Sequence, residues 1–296
     1  MVGANARGLA WQRSLVLGLL LVLAAAAWAL LVLQAAAMDM PAIGPTMGMA
    51  APLFLTIWVV MMVAMMFPTA APMILTFHQV QAGKRQRGET FVATWVFVAT
   101  YLLIWTGFGI AAYLGATAAQ GLAESFQWPR DTIARIGGGI LILAGIYQLS
   151  PLKNLCLSKC RTPLTFIMTS WRDGVGGAVQ MGLKHGAYCL GCCWLLFVIL
   201  FPLGIMNVAA MAVITLLIFA EKTLPTGRRI GQIAALALAL YGAVVIIAPA
   251  TLPTAGATGA MSMPTSPLPM TEPTSEMPGG TGNPTPGGVL PAMPGM

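Results

Sequence analysis

Charge is scarce in this chain. Only 8% of its 296 residues are Asp, Glu, Lys or Arg, whereas a soluble domain carries about 25%. Histidine occurs twice, and five cysteines are too few for a disulfide framework in so long a chain. With 58% hydrophobic residues and a mean hydropathy of +0.82, these shortages exclude an ordinary soluble domain and point to an integral membrane protein. The net charge of +7 does not indicate nucleic acid, because in a membrane protein the distribution of basic residues matters more than their sum. No P-loop or ATPase phosphorylation motif is present, so any transport is passive, gradient-coupled or dependent on a partner.

What the chain does have is long apolar runs. They predict an all-α, polytopic membrane helix bundle of about seven spans, at 15–33, 52–77, 91–116, 133–149, 187–203, 208–220 and 230–248. The first run, Leu15 to Leu33, follows a cytoplasmic leader at 1–14. Its 19 residues span a bilayer core at ~1.5 Å per residue. Ala35-Ala36-Ala37 resembles a signal-peptidase site, but the run exceeds the ~7–15 residues of a signal h-region, so a retained helix is expected. Pro68 and Pro72 should kink or loosen the second span, since neither carries a backbone donor. Gly137, Gly138, Gly139 and Gly145 should let another helix approach the fourth closely. The connection from 150 to 186 contains the apolar stretch TPLTFIMTSW, too short to cross and suited to an interfacial or re-entrant segment. Glu221 and Lys222 read as a membrane-edge pair, with Lys222 snorkelling outward. From 249 to 296 the composition turns to Pro, Gly, Thr and Ser, which predicts a disordered tail.

Basic residues set the orientation. The N-terminus and the loops after spans two, four and six hold 13 of the 15 Lys and Arg, and only Arg130 and Arg135 fall in the opposite set. The positive-inside rule then puts the N-terminus in the cytoplasm and the C-terminus outside, in a bacterial cytoplasmic membrane.

All five cysteines and one histidine lie between Cys156 and Cys193, in CLSKC and KHGAYCLGCCW. On a helix with ~100° per residue and His185 at zero, Cys189 falls near ~40°, Cys192 near ~−20° and Cys193 near ~80°. Met181 joins them at ~−40°. Four thiol or imidazole groups thus share one helix face, and a ligand from the 150–186 connection must fold over them, because a single helix cannot surround an ion. The candidate metal residues are Cys156, Cys160, His185, Cys189, Cys192 and Cys193. A reducing cytoplasm keeps such thiols free.

Methionine extends the pattern. Met61, Met62, Met65 and Met66 form a broad stripe along span two. Met38, Met40, Met47 and Met49 lie in the first loop, and Met261, Met263, Met270, Met277, Met293 and Met296 in the tail. Thioethers bind hard ions poorly and suit Cu(I), while thiolates with imidazole suit Cu(I) or Zn(II). The expected cofactor is a transition metal ion, with copper(I) favoured and zinc second. Met61, Met62, Met65 and Met66 would serve as a transit path, and the outer methionines as a capture or release surface. Expected partners are the lipid bilayer, the metal ion and a metallochaperone or membrane partner protein, with no nucleic acid.

Two other readings stay open. Cys189 and Cys192 form a C-x-x-C pair that would suit a membrane thiol–disulfide carrier. The cysteines could also be small core residues in a structural subunit. The segments WVVMMVAMMFPTAAP, CLSKCRTPL and HGAYCLGCCW, with a later FAEK, resemble a bacterial family of unknown function described as predicted metal-binding integral membrane proteins, over roughly Leu53 to Leu224. That resemblance implies metal binding in a multi-helix membrane protein and supplies no settled reaction, so whether the chain is an enzyme stays open, with a non-enzymatic role favoured.

Overall fold

Hydrophobic runs become helices throughout the computed structural model, which describes residues 2–37 and 46–256. The helices are α1 (Val2–Ala37), α2 (Ala51–Gln86), α3 (Thr94–Ser125), α4 (Arg130–Gln148), α5 (Pro151–Arg161), α6 (Pro163–Ser170), α7 (Gly174–Val198), α8 (Leu200–Leu203), α9 (Val208–Thr223) and α10 (Gly227–Ile247). No strand occurs among the described residues, as the all-α expectation requires. Residues 249–256 form a 3-10 turn and one short helical turn, with Leu252 buried. The rest of the expected tail, with all its methionines, and Met38 and Met40 lie outside the described residues.

The expected number of spans is not reached on length and composition. Five helical stretches are long and apolar enough to cross a membrane: residues 10–37 of α1, α2, α3, α7 with α8, and α10. The run expected at 133–149 lies on α4, which qualifies only together with α5, from which it is bent by 62°. The run at 208–220 lies on α9, a helix of 16 residues. The run expected at 187–203 is the second part of a helix that already begins at Gly174.

α2 is the central element. It packs against α1, α3, α6 and α9, and its buried residues run from Phe54 to Gln81 around most of its circumference. The two prolines do not break it. Pro68 has no amide hydrogen for the Ala64 carbonyl one turn earlier, and the indole of Trp28 on α1 donates to that carbonyl instead, at 3.1 Å. The missing backbone bond thereby becomes a docking point for α1, whose Leu20, Ala24, Ala27 and Leu31 are also buried.

Small residues set two other crossings. A Cβ on Gly182 of α7 would stand 2.7 Å from the Phe97 carbonyl oxygen of α3, and one on Gly186 would stand 3.0 Å from Ile104. Of the α4 glycines, Gly138 and Gly145 meet the α10 backbone, at 2.8 Å from the Gly242 oxygen and 2.7 Å from the Ala235 oxygen. Gly137 instead faces Pro202, and Gly139 meets nothing within 4 Å.

The bend between α4 and α5 follows from Ser150 and Pro151. Pro151 cannot donate to a preceding turn but fits the first position of a new helix, and the Ser150 hydroxyl caps that helix by accepting from Lys153 N at 3.1 Å. α5 then turns Lys153, Cys156 and Leu157 inward with Cys160 half-buried beside them, and leaves Leu152 and Leu155 exposed. At the start of α7, Lys84 of α2 donates to Asp173 and holds its carboxyl below the usual carboxylate range, helped by the Trp171 indole.

Candidate metal centre

Three sulfurs converge. Those of Cys160 on α5 and of Cys189 and Cys192 on α7 all lie within 4.8 Å of one another. The spacing on α7 puts Cys189 and Cys192 on one face, nearly a turn apart. The loop that the sequence required to close the site is α5, brought back over α7 by the bend after α4. All five cysteines are free thiols.

The other expected residues fall around this trio in different roles. Cys193 is buried but directs its thiol to the Cys189 carbonyl at 2.8 Å. Cys192 makes a similar contact to the same carbonyl at 3.1 Å while remaining in the trio. Cys156 lies over Gly191, where a Cβ would stand only 2.8 Å from its sulfur, and it is not a member of the trio. His185 is buried one turn before Cys189. Its ring stacks on Phe97 and Tyr101 and meets Phe166 edge-on, and neither ring nitrogen has a hydrogen-bond partner. An imidazole buried in this way carries an unspent ligand capacity.

Met61, Met62, Met65 and Met66 are all buried on α2, as is Met181 on α7. One of them connects to the trio. The Thr69 hydroxyl lies 3.0 Å from the Met66 carbonyl oxygen and 3.9 Å from its thioether sulfur. Lys222 donates to that same hydroxyl at 3.3 Å and to the Cys189 sulfur at 3.1 Å. Tyr101 of α3 reaches the Cys189 sulfur from another side at 3.2 Å. Cys189 is thus the point where α3, α7 and α9 meet.

Glu221 and Lys222 do not pair with each other, and Lys222 points into the protein instead of snorkelling outward. Both are buried and they face different neighbours. Glu221 takes Lys153 of α5 with both oxygens at 2.7 Å and accepts from Gln148 of α4 at 3.0 Å, while Lys222 turns to the sulfur. Successive helix positions diverge by ~100°, so adjacency in sequence separates two charges rather than pairing them. Lys222, Thr69 and Tyr101 were not among the expected site residues. The available signal was FAEK itself, since ionisable residues in an apolar helix mark function by default.

The donor set suits a soft ion. Sulfurs bound at ~2.3 Å around one metal stand about 4 Å apart, which the trio accommodates with little movement. Soft sulfur donors select Cu(I) or Zn(II) over hard cations, and the expected ligand His185 lies outside the group of three. Residues 55–245 match the copper chaperone family PpoB2.

The chain belongs to that family. The match spans α2 through most of α10 and so includes every residue of the trio, Lys222 and the α2 methionines. The family is metal-related, as the resemblance implied, but its description is copper chaperone rather than a family of unknown function. No curated protein and no solved structure matches the chain.

Proposed function

We propose that this PpoB2-family chain is a membrane-embedded copper(I) handler, which takes the ion on Cys160, Cys189 and Cys192 and passes it on by ligand exchange. The observation that carries this reading is the convergence of three thiols from two helices within 4.8 Å, inside a largely apolar enclosure. Thiolates hold Cu(I) strongly and in low coordination, so an incoming sulfur can bond before an outgoing one leaves. Thioethers bind it weakly and carry no charge, which suits Met66 and its neighbours to transit rather than storage. His185, outside the trio but stacked on the Tyr101 that reaches Cys189, has unpartnered ring nitrogens that it could lend to the ion. Cys160, on the short helix α5 and less buried than Cys189 and Cys192, is the natural point of transfer to or from a partner protein.

The membrane setting rests on the five long apolar stretches and on the exposed leucines of α3, α5 and α10. Basic residues place the α5 side of the bundle at the cytoplasm by the positive-inside rule. Reporter fusions after Gly83 and after Arg228 should both report cytoplasm.

Metal analysis of the full-length protein, purified in detergent without oxygen after expression with copper and zinc supplied, tests the reading. About one copper per chain, lost when Cys189 is replaced by Ser, is expected. Protein that carries no copper and takes up none from a Cu(I) donor removes this function.

A further inference from the structure

Among the described residues, Lys222 has no carboxylate partner. No acidic oxygen lies within 4.0 Å of its ammonium among the described residues, and only 8% of the residue is exposed. The one acid close in sequence, Glu221, is engaged by Lys153 and Gln148. The groups that face the ammonium are the Cys189 sulfur on α7, at 3.1 Å, and the Thr69 hydroxyl on α2, at 3.3 Å. Tyr101 on α3 and Cys160 on α5 complete the surroundings through Cys189. The Lys222 nitrogen, donating to both groups as an ammonium does, stands beside the sulfur that an incoming ion must bind. It also stands beside the Thr69 hydroxyl that touches Met66, where the methionine stripe meets the trio.

A fixed positive charge repels a second cation in proportion to that cation's charge. An ion bonded to Cys189 sits within a few ångströms of the ammonium, in surroundings where water screens poorly. The repulsion is then about twice as large for Zn(II) or Cu(II) as for Cu(I) or Ag(I). Whatever Lys222 does to the availability of the thiols is common to all these ions when they use the same sulfurs. The difference between charges remains. We propose that Lys222 sets the charge preference of the site, admitting a monovalent soft ion and disfavouring a divalent one. The inference rests on the copper reading above and adds to it the basis for choosing between two ions that thiolates otherwise both accept.

The test compares full-length wild-type protein with Lys222→Met, Lys222→Gln and Lys222→Arg, purified anaerobically in detergent. Cu(I) and Zn(II) affinities are each measured by competition against a calibrated chelator. Removing the charge in the Met variant should shift the Cu(I)-to-Zn(II) affinity ratio toward zinc on the order of tenfold or more. The Gln variant, which retains a polar contact for Thr69, carries the same expectation if the Met variant does not fold. The Arg variant keeps the charge and should keep the wild-type ratio. An unchanged ratio in the neutral variant, or an equal shift in the Arg variant, overturns the inference while leaving copper binding intact. Wild-type protein that binds neither ion would remove the copper reading itself, and this inference with it.

Discussion

The sulfur of Cys160 on α5 lies within 4.8 Å of the sulfur of Cys189 on α7. Neither helix could form the site alone. α7 presents two thiols on one face, and α5 supplies the third only because the chain turns through 62° after α4 and folds back. On the copper reading proposed above, the geometry of the bend is part of the metal chemistry, and the residues that hold α5 in place should influence binding without touching the ion.

The buried pair Lys153–Glu221 is the first such element. It joins α5 to α9, and Gln148 ties it to the end of α4. Lys153→Met should cost roughly 3–5 kcal/mol, because it leaves a buried carboxylate without its partner. A double variant, Lys153→Met with Glu221→Leu, should recover most of that loss, since an apolar pair of similar volume leaves no charge stranded. Thermal unfolding in detergent of the two single variants and the double variant checks this. A double variant as unstable as the worse single one would contradict it.

On α7 the two cysteines of the trio were readable in advance, because the spacing of Cys189 and Cys192 follows the helical repeat. His185, expected with them, is buried on the same helix but outside the group. Which cysteine of CLSKC would join them was not readable. Cys156 and Cys160 are one turn apart on the same side of α5, and only the bend and the small residue at Gly191 decide that Cys156 rests on the α7 backbone while Cys160 reaches the trio. The fold shows the same division. Long apolar runs announced helices, but α9 and α4 fall short of independent spans by length or composition. Pro68 announced a carbonyl without its helical partner. That Trp28 would serve it depended on tertiary packing that no local pattern encodes.

That Trp28 bond supports a second prediction. Trp28→Phe keeps most of the apolar contact but strands the Ala64 carbonyl, at a cost of about 1–3 kcal/mol. In a Pro68→Ala background the residue at 68 regains an amide hydrogen for Ala64, so the same Trp28→Phe change should cost markedly less. The coupling is read from thermal unfolding of the two single variants and the double variant. Additive effects would show that the indole bond does not replace the one proline removes.

His185 separates ligand from filler. Its two ring nitrogens are buried without partners, while its faces are fully used by Phe97 and Tyr101. His185→Phe preserves the stacking and removes two unsatisfied polar atoms, so stability should hold or rise by about 1 kcal/mol. Cu(I) affinity should nonetheless fall, on the order of tenfold, if the imidazole contributes a bond to the ion. Unfolding and chelator competition on the same sample give both answers. Unchanged affinity would reduce His185 to packing.

Cys160→Ser and Cys156→Ser alter the same helix face by the same single atom, and only one of them removes a member of the trio. Both variants and the wild type should be titrated with Cu(I) against a calibrated chelator, and the wild-type complex examined by X-ray absorption at the copper edge. Sulfur-dominated coordination is expected, with stoichiometric binding that survives in Cys156→Ser and is lost in Cys160→Ser, because a hydroxyl does not replace a thiolate on a soft ion. Equal affinity in all three proteins, or a copper edge without sulfur neighbours, would contradict the three-thiol site.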